Sequence, residues 1–182
     1  MLYFWTYKSI FALMAIAYLS LGSNMGERER MLKTAVELLS KRSGDILDRS
    51  AVYETEPWGN KEQPVFLNQI ISIDTPLSAE ELLDEIHFVE RQMGRIRNGK
   101  PFQPRYVDID ILLYDQLILQ SERLTIPHPL MHRRAFILVP LMEIAPGLMH
   151  PLLKRSVKEL YSENTDPCAI KRYWPAINEA AG

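Results

Sequence analysis

The sequence is poor in cysteine, and Cys168 is the only one among its 182 residues. A single thiol cannot form an intramolecular disulfide, and such scarcity is typical of a reducing compartment, so a cytoplasmic location is expected. The four histidines and this cysteine do not have the spacing of zinc ligands. Cys168 is therefore interpreted as a buried or bystander thiol.

The sequence also lacks a clear excess of charge of either sign. Its 21 lysines and arginines nearly balance its 23 aspartates and glutamates, and the formal net charge is −2. A general nucleic-acid-binding protein usually carries positive charge, so nucleic acid is not an expected partner. A site for an anion must therefore come from local clustering of basic residues.

Glycine-rich phosphate-binding loops are missing as well. The chain contains neither G-x-x-x-x-G-K-[ST] nor G-x-G-x-x-G. The nearest feature is the tripeptide at residues 22–24, Gly-Ser-Asn, whose backbone N–H groups would be suited to an anion if a helix begins there. A structural turn is the favoured interpretation of this tripeptide.

The first part of the chain, residues 1–21, is mostly apolar and resembles a weak signal peptide or a short membrane anchor. Lys8 interrupts the apolar run and is its only basic residue, whereas a signal peptide begins with a positively charged region. We therefore interpret residues 1–13 as an extension, residues 14–175 as a single domain and residues 176–182 as a tail. No membrane partner is expected.

The rest of the chain alternates short apolar runs with amphipathic segments. Ser78 and Glu81 form a capping-box pattern at the start of one such segment. The leading order is β-α-β-β-α-β, which predicts an α+β, ferredoxin-like core with a largely antiparallel sheet, helices packed on it and extra C-terminal elements. The pattern predicts strands at 15–21, 46–53, 65–73, 104–113, 117–120 and 170–174, and helices at 27–42, 78–94, 135–144 and 156–164.

Two carboxylates, Asp108 and Asp110, lie two residues apart in the strand predicted at 104–113. Because successive side chains of a strand alternate between faces, both carboxylates point the same way, roughly 7 Å apart. They repel each other, so removing either should leave the unliganded fold no less stable, and a hard divalent cation would compensate their charge. The motif alone leaves open a solvated pair on an exposed face. A metal-bound polyphosphate is indicated by three nearby arginines: Arg95, Arg97 and Arg105.

A hydroxyl, an aromatic and an amide side chain also lie close together in sequence, between residues 55 and 68. Thr55, Phe66 and Asn68 would suit a flat heterocycle with polar edges. Taken singly, Phe66 is better interpreted as a core residue and Asn68 as a strand-end hydrogen-bonding residue. His128 precedes two consecutive arginines, and a histidine beside arginines is a candidate phosphate contact, although a lone histidine is usually structural.

Together these features resemble a known family, the 6-hydroxymethyl-7,8-dihydropterin pyrophosphokinases of folate biosynthesis. The resemblance extends over about residues 15–174, and its strongest motif is P-R-Y-V-D-I-D-I-L-L-Y at 104–114. The other motifs are A-Y-L-S-L-G-S-N at 17–24, Y-x-T-x-P-x-G at 53–59, F-L-N at 66–68, E-x-x-x-G-R-x-R at 90–97, L-x-I-P-H-P at 124–129 and R-x-F at 134–136.

The resemblance implies a magnesium-dependent transfer of the β,γ-diphosphoryl group of ATP to the hydroxymethyl oxygen of the pterin, with release of AMP, by a monomeric enzyme. It implies that Asp108 and Asp110 hold two magnesium ions and that Arg95 and Arg105 act on the triphosphate. Further ATP contacts are implied for His87, Glu90, Arg97, Ile111, His128 and Arg134. The implied pterin contacts are Thr55, Trp58, Phe66, Asn68 and Phe136, and the rings of Phe66 and Phe136 would sandwich the pterin.

Three residues depart from the family's frequent choices: Phe66 stands where tyrosine is common, Phe102 where tryptophan is common, and His87 where glutamine is common. The loop at 98–104 is expected to be mobile without ligand and to close over ATP. Two alternatives stay open. One is a different metal enzyme that uses Asp-x-Asp for nucleotide chemistry, without an aromatic sandwich. The other is a non-enzymatic ferredoxin-like module that binds RNA or a regulatory ligand.

Overall fold

The computed structural model describes residues 14–57, 62–95 and 104–174. Expectations for the extension at 1–13, for Trp58 and Arg97, for Phe102 and nearly all of its loop, and for the tail at 176–182 lie outside these residues. The elements in chain order are β1 (Ala15–Ser23), α1 (Arg28–Arg42), β2 (Asp45–Arg49), β3 (Tyr53–Thr55), β4 (Phe66–Thr75), α2 (Ala79–Gln92), β5 (Asp108–Tyr114), β6 (Leu119–Gln120), β7 (Thr125–Ile126), α3 (Ala135–Ile144), α4 (Val157–Ser162) and β8 (Ile170–Arg172).

The main sheet has six strands, in the order β5-β1-β4-β3-β8, and β2 pairs with β4 beside β3. Each of these pairings is antiparallel. Two central strands, β1 and β4, are separated in sequence by α1, β2 and β3, and α2 then leads to β5 on the other side of β1. Because β2 and β3 both pair with β4 and occupy the place of one predicted strand, this corresponds to the predicted β-α-β-β-α-β order, and the ferredoxin-like core is confirmed.

The two faces of the sheet are covered by different helices. Leu19 and Leu21 of β1 pack into a core with Leu39 of α1 and Ile86 of α2. On the opposite face, a second cluster joins Ile70 of β4 to residues of α3 and α4. The side chains of β1 therefore alternate between a helix-covered core and the face that α3 covers only in part.

Local side-chain hydrogen bonds explain where several elements begin. The capping box at the start of α2 is confirmed, because Ser78 Oγ accepts from the Glu81 N–H while Glu81 Oε2 accepts from the Ser78 N–H at 2.8 Å. A second capping box, between Ser156 and Glu159, begins α4. Pro140 lies inside α3, whose bounds are the predicted ones.

The prediction of one strand over 46–53 is wrong, because the chain forms two shorter strands, β2 and β3. Ser50 lies between them and replaces a regular backbone pairing: its N–H donates to Ile70 O at 2.9 Å, and its Oγ accepts from the Ile70 N–H at 3.0 Å. The strand predicted to start at 104 begins only at Asp108, and the one predicted at 117–120 is reduced to β6, which pairs with β7.

No helix within the described ranges is both long and apolar enough to cross a membrane.

Candidate active site

The site lies on the α3 side of the sheet, where β1, β4 and β5 meet. Gly22 of β1 is paired with Asp108 on one side and with Asn68 on the other, and Ser20 is paired with Asp110. Directly opposed residues of antiparallel strands project to the same face. The two carboxylates and the Asn68 amide therefore share one face, as the spacing of Asp108 and Asp110 predicted.

A cavity of about 390 Å³ opens over this part of the sheet. The sequence-predicted residues that line it are Thr55, Phe66, Asn68, Arg95, Arg105, Asp108, Asp110, His128, Arg134 and Phe136. It is also lined by Ser20, Gly22, Glu56 and Gln63, which the sequence analysis did not assign to a site.

Asp108 is held between two arginines that arrive from different parts of the chain. Arg95 Nη1, just beyond the end of α2, donates to Asp108 Oδ1, and Arg105 Nη1 donates to Asp108 Oδ2. The same Arg95 nitrogen also donates to Glu90 Oε1, and that oxygen accepts from the Ile109 N–H at 3.0 Å. Glu90 is only 1% exposed, so it positions Arg95 from beneath and does not line the cavity.

Asp110 has different electrostatic surroundings from Asp108. Loss of solvation, followed by the nearby charges of Asp108 and Glu90, raises the pKa of the Asp110 carboxyl to about 7, although Arg134 and Arg95 oppose the shift. A group that is half protonated near neutral pH is stabilised as a carboxylate by an added cation. The pair is therefore suited to a divalent metal ion.

The donor set fits magnesium better than a metal that needs a complete protein cage. Among the residues that the structure describes, no group of three or more histidine, cysteine, aspartate or glutamate side chains could hold a metal ion. Magnesium is commonly bound by one or two carboxylates, with phosphate and water oxygens completing its octahedral shell. Asp108 and Asp110 supply the two carboxylates beside arginines that suit phosphate.

His128 is held neutral at the edge of the cavity. Burial, with a smaller contribution from the charge of Arg134, lowers the pKa of its imidazole to about 4. The ring Nδ1 accepts from the Leu130 N–H at 3.2 Å, and the backbone N–H of His128 donates to Leu112 O at 2.9 Å. Because Nδ1 is the acceptor, the proton of the neutral ring lies on Nε2, which is suited to donate to a phosphate oxygen.

Two aromatic rings line the cavity, each with an arginine nearby. The Cζ atom of Arg105 lies 5.8 Å from the ring centroid of Phe66, and that of Arg134 lies 5.6 Å from the ring centroid of Phe136. The rings belong to different walls, since Phe66 begins β4 and Phe136 lies in the first turn of α3. Flat, apolar surfaces next to guanidinium groups suit a planar ligand that carries a phosphate acceptor.

The amide of Asn68 is fixed by its neighbours. Asn68 Nδ2 donates to Thr55 Oγ1 at 2.7 Å, and both side chains are buried. A β-carbon at Gly22 would come within 3.0 Å of Asn68 Oδ1, so the glycine leaves room for this amide beside β1. The result is an oriented polar edge beside the two rings.

The interpretation of the tripeptide at 22–24 as a turn is wrong, because Gly22 and Ser23 are paired residues at the end of β1 and only Asn24 lies beyond the strand. Asn24 Oδ1 accepts from the Arg105 N–H at 2.7 Å, and the Asn24 N–H donates to Arg105 O at 3.2 Å. Asn24 Nδ2 donates to Gln63 Oε1 at 3.3 Å. Asn24 therefore joins the segment that carries Arg105 to the residues that lead into β4.

The family described as 7,8-dihydro-6-hydroxymethylpterin-pyrophosphokinase (HPPK) matches residues 18–146 of this chain. The chain belongs to this family.

Curated relatives include the 2-amino-4-hydroxy-6-hydroxymethyldihydropteridine pyrophosphokinase of Methylorubrum extorquens, which is 42% identical over 160 residues, spanning 87% of this chain and 99% of that protein. The enzyme of the same name from Aquifex aeolicus is 41% identical over 152 residues, spanning 84% of this chain and 94% of that protein. The folic acid synthesis protein fol1 of Schizosaccharomyces pombe is 43% identical over 145 residues, but the match spans only 20% of its length.

The fold is similar to that of a solved structure, wild-type HPPK-DHPS of Plasmodium falciparum with pteroate. The TM-score is 0.68 with 18% sequence identity, and the match spans 82% of this chain and 42% of that one.

Some predicted HPPK site residues do not line the cavity. The side chain of Ile111 is buried in the core beneath α1 and α2, on the face of β5 opposite Asp108 and Asp110, so that side chain cannot line this cavity. His87 is half-buried on α2 and also lies outside the cavity lining.

Among the lining residues that sequence analysis missed, two had a usable signal. Ser20 and Gly22 alternate with Leu19 and Leu21 in β1, and the polar or small residues of such a strand lie on the face opposite the apolar ones. Glu56 and Gln63 lie between β3 and β4 in sequence and carry no comparable pattern.

Proposed function

We propose that this protein transfers the diphosphoryl group of ATP to the hydroxymethyl group of 6-hydroxymethyl-7,8-dihydropterin and releases AMP, as a step of folate biosynthesis. The observation that carries the proposal is a single cavity that joins a carboxylate pair, Asp108 and Asp110, to two aromatic rings, those of Phe66 and Phe136. Membership of the HPPK family supports the same reaction.

The nucleotide is assigned to the charged part of the cavity. Arg95 and Arg105, which contact Asp108, would bind the triphosphate, and Arg134 and the neutral His128 would bind further phosphate oxygens. Two magnesium ions on Asp108 and Asp110 would neutralise phosphate charge and orient the reacting oxygens when bound.

The pterin is assigned to the aromatic part of the cavity. Its ring would stack between Phe66 and Phe136, and its polar edge would meet the amide of Asn68, which Thr55 holds in place. Phe66 lacks the hydroxyl of the tyrosine that is common in the family, so stacking, rather than a hydroxyl contact, is expected from this residue.

The chemistry assigned to the chain is mainly positioning. The hydroxymethyl oxygen attacks the β-phosphorus, the bond from that phosphorus to the bridging oxygen of the α-phosphate breaks, AMP leaves, and the hydroxyl proton is lost. The arginines stabilise the charge that moves onto the leaving oxygen. Glu90 keeps Arg95 in place for this role through the Glu90–Arg95 ion pair.

The test is AMP release from ATP in the presence of magnesium and 6-hydroxymethyl-7,8-dihydropterin. The wild type should release AMP only when the pterin is present, and Asp110→Asn should lower turnover by a factor of at least ~100. Asp45→Asn is the matched control, since Asp45 is an exposed carboxylate on β2 outside the cavity. Release of ADP, or release of AMP that does not depend on the pterin, would contradict the proposal and favour another Asp-x-Asp enzyme.

The remaining assignments belong to the same proposal. We expect residues 14–175 to act as one catalytic domain, in the cytoplasm and as a monomer, with ATP and the pterin as its partners. Sedimentation of the active protein tests the oligomeric state, and a stable dimer would contradict it.

A further inference from the structure

The first turn of α3 carries two cavity residues, Arg134 and Phe136, on either side of Ala135. Arg134 occupies the N-cap position, but its side chain makes no capping hydrogen bond, and the first turn contains no acidic residue. The N–H groups at the start of a helix need acceptors, and negative charge is favoured there.

The acceptor comes from the chain beyond the match to the HPPK family, which ends at residue 146. Asp166 Oδ2 accepts from the Ala135 N–H at 2.9 Å, and Asp166 Oδ1 accepts from the Cys168 N–H at 3.1 Å. The carboxylate thus holds the helix start with one oxygen and its own segment with the other.

A second contact fixes the same segment to the turn before α3. Asn164 Oδ1 accepts from the Asp166 N–H at 3.0 Å, and Asn164 Nδ2 donates to His132 O at 3.4 Å. The contacts at His132 and Ala135 lie on the two sides of Arg134. Burial lowers the pKa of the Arg134 guanidinium, and the charges of Asp110, Asp108 and Asp166 all oppose that shift.

The same segment then joins the opposite wall of the cavity. Cys168 Sγ lies 3.7 Å from Glu56 O, and β8 pairs with β3 so that Ile170 is opposite Thr55. Residues 164–172 therefore connect the wall that carries Phe136 to the wall that carries Thr55.

We propose that Asp166 is a positioning residue for the pterin site: by capping α3 from a segment that also pairs with β3, it sets the position of Arg134 and Phe136 relative to Thr55. The proposal rests on the function proposed above. Asp166 itself does not line the cavity, so it acts through Ala135 rather than by touching substrate.

The test compares Asp166→Ala, Asp166→Asn and a control, Ser156→Ala, which removes the side-chain cap of α4, a helix without cavity residues. Binding of 6-hydroxymethylpterin is measured by calorimetry in the presence of saturating magnesium and α,β-methylene-ATP, a nucleotide that cannot be cleaved at the reacting bond. Asp166→Ala should raise the pterin Kd about tenfold. Asp166→Asn, which keeps an oxygen acceptor, should stay within about threefold of the wild type.

Ser156→Ala should lower the melting temperature without changing the pterin Kd, which separates positioning from general destabilisation. Hydrogen exchange at the Ala135 N–H gives a readout that does not depend on the ligand, and this amide should lose protection in Asp166→Ala alone. A pterin Kd for Asp166→Ala within about twofold of the wild type would overturn the proposal.

If Asp166→Ala does not fold, Asn164→Ala replaces it, because it removes the contact with His132 O from the same segment. Its pterin Kd should rise about threefold, and an unchanged value would overturn the proposal. Wild-type protein that neither binds the pterin nor releases AMP would overturn the proposed function instead, so the two failures are distinguishable.

Discussion

Asp108 and Asp110 are only two residues apart, yet the surroundings of Asp108 favour its negative charge and those of Asp110 disfavour it. Asp108 is paired with Arg95 and Arg105, whereas Asp110 is desolvated beside the charge of Asp108. The expectation that either carboxylate could be removed from the unliganded protein without loss of stability therefore stays a prediction for Asp110 and is withdrawn for Asp108. Removing Asp108 would leave two partly buried guanidinium groups without their common partner, which is destabilising.

The first prediction concerns Asp110 in the unliganded protein. Because the folded-state pKa is raised to about 7 from 3.8, ionisation opposes folding: stability is greatest below the unfolded-state pKa and falls as pH rises towards 7. Asp110→Asn should therefore stabilise the metal-free protein by roughly 1–3 kcal/mol at pH 8, and much less at pH 4. Urea denaturation at both pH values measures this. Equal effects at the two pH values would contradict the raised pKa.

The second prediction concerns His128. Its folded-state pKa is lowered from 6.5 to about 4, so burial of the neutral ring stabilises the fold above pH 6.5, and this contribution is lost as pH falls towards 4. His128→Gln should remove roughly 1–3 kcal/mol of the acid-induced loss of stability between these pH values. Imidazole NMR shifts of the wild type should show no protonation of His128 at pH 5.5, and a normal titration there would contradict the assignment.

The third prediction separates the two ligands. Phe66→Ala and Phe136→Ala each remove one ring, with a loss of about 1 kcal/mol of stacking beyond the lost burial. Both should therefore weaken pterin binding far more than binding of α,β-methylene-ATP with magnesium. Calorimetric titration of each ligand tests this, with Phe88→Ala as the control, since the Phe88 ring lies against Arg42 outside the cavity. Equal losses for both ligands would indicate a general structural defect.

At the scale of the secondary-structure elements, the connection from α1 to β2 leaves no room for a side chain at Gly44. Gly44 has a φ of 137°, and a β-carbon there would lie 2.1 Å from Asp74 O of β4. Gly44→Ala should therefore destabilise the protein by roughly 2 kcal/mol or more. Gly147→Ala is the matched control, because no atom lies within 4 Å of its added β-carbon. Thermal denaturation of the two variants should differ clearly, and similar melting temperatures would contradict the steric argument.

The order of the elements could be predicted because it depends on local patterns: apolar periodicity, the capping box at Ser78 and the alternation in β1. The break at Ser50 could not, since its hydroxyl takes the place of a backbone acceptor only when β4 lies opposite. The same holds for Asn24, whose contact with Arg105 spans 81 residues of sequence, and for the cap that Asp166 supplies to α3.

The site could be predicted largely where residue type and strand alternation agree. Asp108 and Asp110 are an example. The same alternation places the side chain of Ile111 on the opposite face, so the ATP contact that the family resemblance implies for Ile111 stays a prediction without support from strand alternation. His87 and Glu90 show a second limit: spacing on a helix places residues near a site, but it does not distinguish a lining residue from one that supports it from beneath.

At the scale of the whole molecule, ligand binding should appear as stability. A nucleotide that binds only the folded state at 100 times its Kd adds about 2.7 kcal/mol. With α,β-methylene-ATP, the melting temperature of the wild type should rise much more with magnesium than with EDTA, whereas Asp110→Asn should show little difference. Asp45→Asn should behave like the wild type. A shift in Asp110→Asn that depends on magnesium as strongly as in the wild type would place the metal elsewhere.

The division of the sheet into a core face and a site face has a consequence for how the gene tolerates change. Along β1, Leu19 and Leu21 are constrained by folding, while Ser20 and Gly22 are constrained by what the cavity must hold. In a library of all single substitutions, loss of cellular abundance and loss of turnover at normal abundance should therefore alternate from one codon to the next. Deletion of a single codon in this strand would move the following side chains to the opposite face. Cellular abundance and turnover should then be lost together.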